Sequence, residues 1–453
     1  MDRLSRACGG ALARPSQRAR LPRTTAAGRA VLLASTMLWV GSAPSRAQAR
    51  AGPPAGPPAD TLSLAQAVAM ARASNPSLRA VVLRAEAAVE RISPAGALPD
   101  PMLGFSFMNR PVDDFGTDQA MTMNSVQLTQ RFPWPGKQGF GEERMRRLAE
   151  ADRLDASEME AVLIARVKTV YYELAYMDRA VTIMEETRDL LREFLDVSTT
   201  LYEVGRGVQQ DVLQAQIAVA GMTADLTIVG ENRIAMAARL NSLLGREATA
   251  PVGGLALPGV LRTLPPVDSL LRVAVEARPG LEAARERAAA AEAGYRAARR
   301  AVYPDFTLGL GYGQRPEFDD LFTISMAISV PLWAGSKQIP LRREMRAMQA
   351  MEEARERDLY NETFARLAEL TAQAERARSL IELYTKSIVP QARASVESAL
   401  SAYRVGQVDF MTLVTNEMTV NRYEVEIVRL VADFQAAVAE VEALIATELE
   451  EDR

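Results

Sequence analysis

Two stretches of strict alternation, at 306–313 and 322–332, constrain this sequence more than any other feature. The first arm reads Phe306, Thr307, Leu308, Gly309, Leu310, Gly311, Tyr312, Gly313. The second sets Phe322, Ile324, Met326, Ile328, Val330 and Leu332 against Thr323, Ser325, Ala327 and Ser329. A period of two is the signature of a strand, and the short loop between the arms makes them a hairpin. One face is apolar enough for lipid, while the other is small and polar enough to line water. Such a hairpin stands out in a chain otherwise full of long helical patterns.

The same pattern occurs earlier in the chain. At about 101–110, Leu103, Phe105 and Phe107 alternate with Gly104, Ser106 and Met108. At about 121–132, Val126, Leu128 and Phe132 share the outward phase with Asn124, the least regular of the four strands. Prolines mark the corners between helices and strands. Pro99 and Pro304 stand where a helix gives way to a strand, in Leu98-Pro99-Asp100 and Tyr303-Pro304-Asp305. Pro133, Trp134, Pro135 and Gly136 close the first hairpin, as Pro331, Trp333 and Gly335 close the second. Proline ends ladder pairing and glycine relaxes the backbone, so the chain turns into a helix at each. Trp134 is placed where lipid meets water.

Helical patterns fill the rest. A helix over 61–93 has a kink at Asn75-Pro76, and one over 268–301 carries Pro279 at the corresponding place. Leu163, Val167, Val170, Leu174, Met177, Val181 and Met184 follow a 4-3 alternation that resumes at Leu191 and Leu195, a coiled-coil heptad. About 60 residues of helix span roughly 90 Å, longer than a compact domain needs. That helix turns back at Tyr202-Glu203-Val204-Gly205, and its counterpart from about Ile339 turns back at Tyr403-Arg404-Val405-Gly406, 201 positions on. The last helix, to about Glu448, shows Ile427, Leu430, Phe434, Val438, Val441 and Ile445 on one face. An internal duplication accounts for this order: 61–245 is the first repeat, 246–267 a connector and 268–448 the second, with strands at about 305–313 and 321–332. An acidic tail, 449–453, follows.

Composition narrows the function. The chain has 453 residues, 48% hydrophobic and 24% charged, which suits a folded protein. It has no histidine, and its single cysteine is Cys8, so His-based acid–base catalysis, cysteine nucleophiles and His/Cys zinc sites are excluded. Residues 1–49 resemble an export signal: eight arginines, an apolar core at 30–40 and an Ala47-Gln48-Ala49 cleavage site. Residues 50–60 are a Pro/Gly linker. Cleavage after Ala49 would leave 45 basic and 56 acidic residues, a net charge of −11, which argues against a nucleic-acid partner. After position 50 no run of about 20 uncharged apolar residues suggests a transmembrane helix.

Four amphipathic strands cannot close a barrel, and open edges cannot persist in lipid because their backbone groups would go unsatisfied. Strands must therefore be pooled between chains; three copies supply twelve strands and a water-filled lumen. With the Leu-Pro-Asp-Pro corner at 98–101, Phe-Pro-Trp-Pro-Gly-Lys at 132–137 and the paired Tyr-x-Val-Gly tips, the duplicated plan resembles the TolC-type outer-membrane efflux protein family. The resemblance runs from about 61 to 448, and the 132–137 corner is similar to the branch serving heavy-metal and cation efflux.

The resemblance implies a mainly α fold with a membrane β-barrel, in which a homotrimer forms a 12-stranded barrel continuous with a long α-helical barrel in the periplasm. It implies a passive exit channel in the outer membrane, in contact with outer-membrane lipid, with no cofactor and no catalysis. A periplasmic adaptor (a membrane-fusion protein) and an inner-membrane pump are the implied partners. The tip residues Tyr202, Val204, Gly205, Tyr403, Val405 and Gly406 are the implied adaptor contacts. In the family an aspartate ring gates the periplasmic end; those acids would fall at Thr412 and Thr415, so this chain departs from the pattern. Asp211 occupies the position in the first repeat equivalent to Thr412, and Asp409 lies one turn closer to the tip. Both are candidate pore carboxylates, which threefold symmetry would turn into cation-favouring rings, with a solvated or salt-bridged acid as the alternative. The methionines at 102, 108, 121 and 123 are either soft-metal contacts or ordinary packing and lumen lining. Within the same fold, the exit duct of a type I protein-secretion system is the alternative function. A soluble periplasmic coiled-coil scaffold would carry charge on the outer phase of its hairpins, and a carboxylate-based hydrolase would need a pocket of converging acids.

Overall fold

The computed structural model describes residues 62–449, except 113–115, 117, 118, 260 and 317. The expected leader with Cys8, the Pro/Gly linker, the aspartates at 113, 114 and 118 and the tail from 450 onward lie outside the described residues. One order of elements occurs twice. First come α1 (Leu64–Ser74), α2 (Pro76–Glu90), α3 (Ile92–Gly96), β1 (Met102–Met108), β2 (Met123–Phe132), α4 (Lys137–Glu203) and α5 (Gln209–Leu243). Then come α6 (Val267–Ala277), α7 (Pro279–Arg300), β3 (Asp305–Gln314), β4 (Leu321–Ser329), α8 (Gln338–Leu383), α9 (Val389–Arg404) and α10 (Phe410–Ile445).

The prolines expected to kink the leading helices divide them outright. Pro76 and Pro279 each sit in the first turn of a new helix, where a missing N–H costs nothing. Asn75 makes the first break specific: its Oδ1 accepts from the Leu78 N–H at 3.0 Å, and its Nδ2 donates to the Leu243 carbonyl at 2.9 Å. The long helices differ. α4 runs unbroken for 67 residues, about 100 Å. Its counterpart is interrupted by a π-helical turn at Tyr384–Ile388, next to Pro390 in the first turn of α9. Proline there has no N–H for the ladder, and the wider turn absorbs the mismatch.

Burial along α4 follows the heptad through Leu163, Val167, Val170, Leu174 and Met177, then slips to Ala180, Ile183, Thr187, Leu191, Phe194 and Ser198. A straight helix drifts against a seven-residue repeat, so Val181 and Met184 rotate to the margin of the contact. Three large apolar clusters pin the long helices together, and a small one of Ala151, Leu154 and Ala283 joins α4 to α7. One joins α1, α4, α5 and Ala432 of α10, with Val252 of the connector. The second joins α6, α8 and α10. The third, at the tip end, joins α4, α5, α9 and α10. The connector is strapped to the first of these: Arg233 donates to Asp178 and to the Val252 carbonyl at 3.2 Å, and Asp178 accepts from Leu255 N at 3.0 Å. α5 is long and apolar enough to cross a membrane by length and composition alone. It lies instead along α4, with Leu213, Ile217, Ile228 and Ile234 exposed on its other side.

The four strands form one antiparallel sheet in the order β1-β2-β3-β4, so β1 and β4 are open edges. The irregular β2 is a full strand, paired on both sides. Its Asn124 lies at the loop end, where Arg110 donates to its Oδ1 at 2.6 Å. β4 stops at Ser329, before Pro331, and β1 stops at Met108, before Asn109 at φ 53. Cross-strand pairing gathers Leu103, Phe105, Phe107, Val126, Leu128, Leu310, Phe322, Ile324 and Met326 on one face. Phe105, Phe107, Phe322, Ile324 and Met326 are 69–72% exposed there. Ser106, Ser125, Gln127, Thr129, Gly309, Gly311, Thr323 and Ser325 lie on the other. A Cβ on Gly309 would strike Ser325 Oγ, and one on Gly313 would strike the sulfur of Met123, so these glycines make room for side chains of adjacent strands.

Gly245 ends α5 at φ +66, and a Cβ there would lie 2.5 Å from the backbone oxygen of Ser74. Gly205 has a similar φ, +71, but open space around it. Gly205→Ala is expected to cost about 1 kcal/mol, the ordinary left-handed penalty, and Gly245→Ala distinctly more, because a backbone carbonyl must move. Thermal unfolding of the two variants side by side checks this ordering.

Candidate functional site

At the end of the helical body remote from the sheet, the two tips are built alike. Each ends in a left-handed glycine, Gly205 at φ 71 and Gly406 at φ 73. In one, Arg206 N donates to the Leu201 carbonyl at 2.8 Å; in the other, Gln407 N donates to the Ala402 carbonyl at 2.9 Å. These are Schellman-type closures that satisfy the last carbonyls of a helix. Val204 and Val405 are exposed on both tips, an apolar pair presented to a partner or to water.

The tyrosines differ. Tyr202 is 47% exposed, whereas Tyr403 is 6% exposed. The Tyr403 ring meets Phe410 edge-on at 5.5 Å, and its hydroxyl donates to Asp211 Oδ2 at 3.0 Å. Burial and the adjacent carboxylate push the Tyr403 phenol well above its usual range, so it stays protonated and remains a donor. Asp211, in the first turn of α5, therefore ties that helix to the end of α9.

Asp409 has a different local role. It is the N-cap of α10, accepting from Thr412 N at 3.1 Å and from the Thr412 hydroxyl. Those hydrogen bonds hold its carboxyl below the usual range. The matching position in the first repeat is Val208, with no side-chain cap, so the first tip carries its acid three residues later, at Asp211. Both acids lie against a helix N-terminus, where the macrodipole favours negative charge. Within one chain the two candidate pore carboxylates are thus engaged at separate helix starts.

Glu417 had no signal in the sequence. Two turns into α10 it is buried beside the tip cluster, and burial raises its carboxyl to about 7, with Glu424 adding to the rise and Arg393 opposing it. Arg393 itself is paired with Glu424.

At the opposite end, the corner residues of the two repeats interlock. Asp305 accepts from Trp134 N at 3.0 Å, Lys137 Nζ at 2.6 Å and Arg131 Nη2 at 2.6 Å. Trp134 stacks on Tyr303 at 5.0 Å and on Phe306 at 5.7 Å. Lys137 also donates to the Tyr303 carbonyl at 2.8 Å. Pro99, Pro133, Pro135, Gly136 and Pro304 frame this clasp at the strand ends. Pro331, Trp333 and Gly335 form the second corner, where Trp333 is 72% exposed.

A cleft of about 1070 Å³ lies between α2 and α4 and mixes arginines with glutamates. Arg72–Glu160, Arg146–Glu142 and Arg153–Glu150 are paired in and around it, so these acids are matched with arginines rather than converging on one another.

Comparisons with known proteins agree with this geometry. The model of the family described as "Outer membrane efflux protein" matches residues 67–246 and 270–447. The chain is 24% identical to the pyoverdine export outer membrane protein OpmQ of Pseudomonas putida, over 90% of each chain. Among solved structures it is similar to the outer membrane protein VceC of Vibrio cholerae, with a TM-score of 0.74 at 18% identity, covering 85% of this chain and 97% of that one. It is also similar to the MtrE outer membrane channel of Neisseria gonorrhoeae in its open state, with a TM-score of 0.71 at 16% identity over 86% and 90% of the two chains. At those identities the likeness carries the fold.

Two outcomes are expected at the tips. Tyr403→Phe removes a donor from a carboxylate and should cost about 1–3 kcal/mol locally, seen as faster hydrogen exchange at 206–214 and 400–409. Glu417 holds its proton more tightly folded than unfolded, so stability falls as pH rises from about 4.5 to 7 and stays reduced above that. Glu417→Gln should therefore be more stable than the parent by about 1–3 kcal/mol at pH 8, and the gain should vanish near pH 4 in thermal melts.

Proposed function

The chain belongs to the outer membrane efflux protein family, and on that premise we propose how its parts are deployed as an efflux exit channel in the outer membrane. Three copies pool their strands into a twelve-stranded barrel and stand their helices beneath it as a tunnel through the periplasm. The observation that carries this is the sheet: strands of 7 to 10 residues, apolar on one face, with β1 and β4 unpaired. A bilayer cannot leave such edges open, and a single four-stranded sheet cannot close on itself. The exposed isoleucines and leucine of α5 belong to the same account, since a neighbouring copy would cover them.

Residues 1–49 act as the export leader and are removed before assembly. The tips, with Val204 and Val405 exposed beside left-handed glycines, receive a periplasmic adaptor that links the channel to an inner-membrane pump. The channel is passive, and the pump supplies the energy. Export of a small solute is favoured over protein secretion by one observation, the relation to a pyoverdine exporter over 90% of both chains.

Fractionation and mass measurement test the assembly. The protein is expected in the outer-membrane pellet, and native mass spectrometry of detergent-extracted material should give a trimer of leaderless chains starting at Arg50. Recovery as a monomer would remove the proposed assembly. Replacing Val204 and Val405 together by Asp should abolish efflux in cells while leaving the trimer intact, read as accumulation of dyes or siderophore.

A further inference from the structure

The two hairpins share one register, and that register fixes how a second copy must join the sheet. A shift of 205 positions carries β1 onto β3, and a shift of 198 carries β2 onto β4. Under these shifts Met102↔Thr129 and Gly104↔Gln127 become Thr307↔Ala327 and Gly309↔Ser325, which are the pairs found in the second hairpin. The β2–β3 seam joins the end of one repeat to the start of the next within the chain. Only one other seam of that kind can form: β4 of one copy against β1 of another.

We infer that the seam between copies repeats the internal seam residue for residue. Phe132↔Phe306, Gln130↔Leu308, Leu128↔Leu310 and Val126↔Tyr312 translate into Val330↔Pro101, Ile328↔Leu103, Met326↔Phe105 and Ile324↔Phe107 across the two copies. On the opposite face, Gln127↔Gly311 and Thr129↔Gly309 become Ser325↔Ser106 and Ala327↔Gly104. These six of the nine translated pairs match apolar with apolar or small with small; the other three, Ser329↔Met102, Thr323↔Met108 and Phe322↔Asn109, pair unlike residues near the strand ends. A slip of one residue would place each apolar residue against the wrong face.

The corner clasp extends the same logic. Inside the chain, Asp305 holds Lys137 and the Trp134 N–H, and Trp134 stacks on Tyr303. A shift of 205 carries Asp305 and Tyr303 onto Asp100 and Leu98, while the nearest counterparts of Trp134 and Lys137 are Trp333 and Lys337, one and two positions beyond the strand shift of 198 in the longer second corner; all four are exposed. Among the described residues the side chains of Asp100 and Lys337 make no hydrogen bond or ion pair. Lys337 and Trp333 stand at the β4 edge, while Asp100 and Leu98 stand at the β1 edge. The carboxylate of one copy therefore takes the ammonium of the next, and Trp333 covers Leu98. Where the internal clasp has Arg131, this seam has Ser329, so it holds one cation fewer and is the more salt-sensitive of the two. The seam rests on the proposed trimer and adds to it the register and the ion pair.

Cysteine cross-linking tests the register, because the only cysteine of the chain, Cys8, lies in the expected leader. The full chain carrying Ser106→Cys with Ser325→Cys, oxidised in outer membranes with copper phenanthroline, should give covalent dimers and trimers on non-reducing gels. Gly104→Cys with Ser325→Cys, displaced by two positions, should give several-fold less. Equal or stronger linkage at 104–325, or no linkage at 106–325 in a protein that is trimeric by native mass spectrometry, overturns the register. For the clasp, Asp100→Lys and Lys337→Asp should each lower the temperature at which trimers dissociate in detergent, and the double variant should recover most of the loss. Additive losses, or no loss in either single variant, overturn the ion pair. A parent protein that is monomeric in native mass spectrometry overturns the trimer itself, separately from these readings.

Discussion

An unpaired strand edge inside hydrocarbon leaves backbone donors and acceptors with no water to turn to, at several kcal/mol for each group. This chain leaves two edges open, on β1 and β4. The strands are short, and their apolar face is exposed rather than packed on a helix, so among the described residues no helix covers that face of the sheet. Stability comes instead from the helical body, whose three apolar clusters tie α4 and α10 to their neighbours along their length. A sheet that could not survive alone is held by its corners to helices that can.

Those corners are the mechanical joint of the protein. Asp305 accepts three donors from the other repeat's turn, and its side chain is almost entirely buried among them. A buried carboxylate is costly unless its oxygens are fully engaged, and here two cations and a backbone N–H engage them. The stacking of Trp134 on Tyr303 and Phe306 keeps water from the joint. The first strand–helix turn is thus fixed to the second repeat within a single chain.

Much of this plan was legible in the sequence because it is periodic. The strands, their faces, the dividing prolines and the duplicated tips all follow from spacings of two, of three and four, or of 201. What spacing does not encode is which side chains meet across long separations. Lys137 and Asp305 are 168 positions apart, and Tyr403 and Asp211 are 192 apart, so no local pattern announces either pair. Asp409 could be seen as an acid near a pore, but its use as the cap of α10 depends on where that helix begins. Glu417 occupies a helical position like many exposed glutamates, and only the packing of α10 against its neighbours buries it. The π-helical turn beside Pro390 likewise needed the backbone, since a proline announces disturbance without saying what shape it takes.

The glycines of β3 have a consequence for the channel's bore. Gly309, Gly311 and Gly313 all lie on the small-residue face, and the space they leave is taken by Met123, Ser325 and Thr323 from the adjoining strands. A strand without side chains on one face lets its neighbours lean toward it, so the sheet can curl more tightly on that side. Room for that curl is therefore left by three missing side chains on one strand. Any side chain introduced at Gly309 or Gly313 would meet Ser325 or Met123 and oppose that curl.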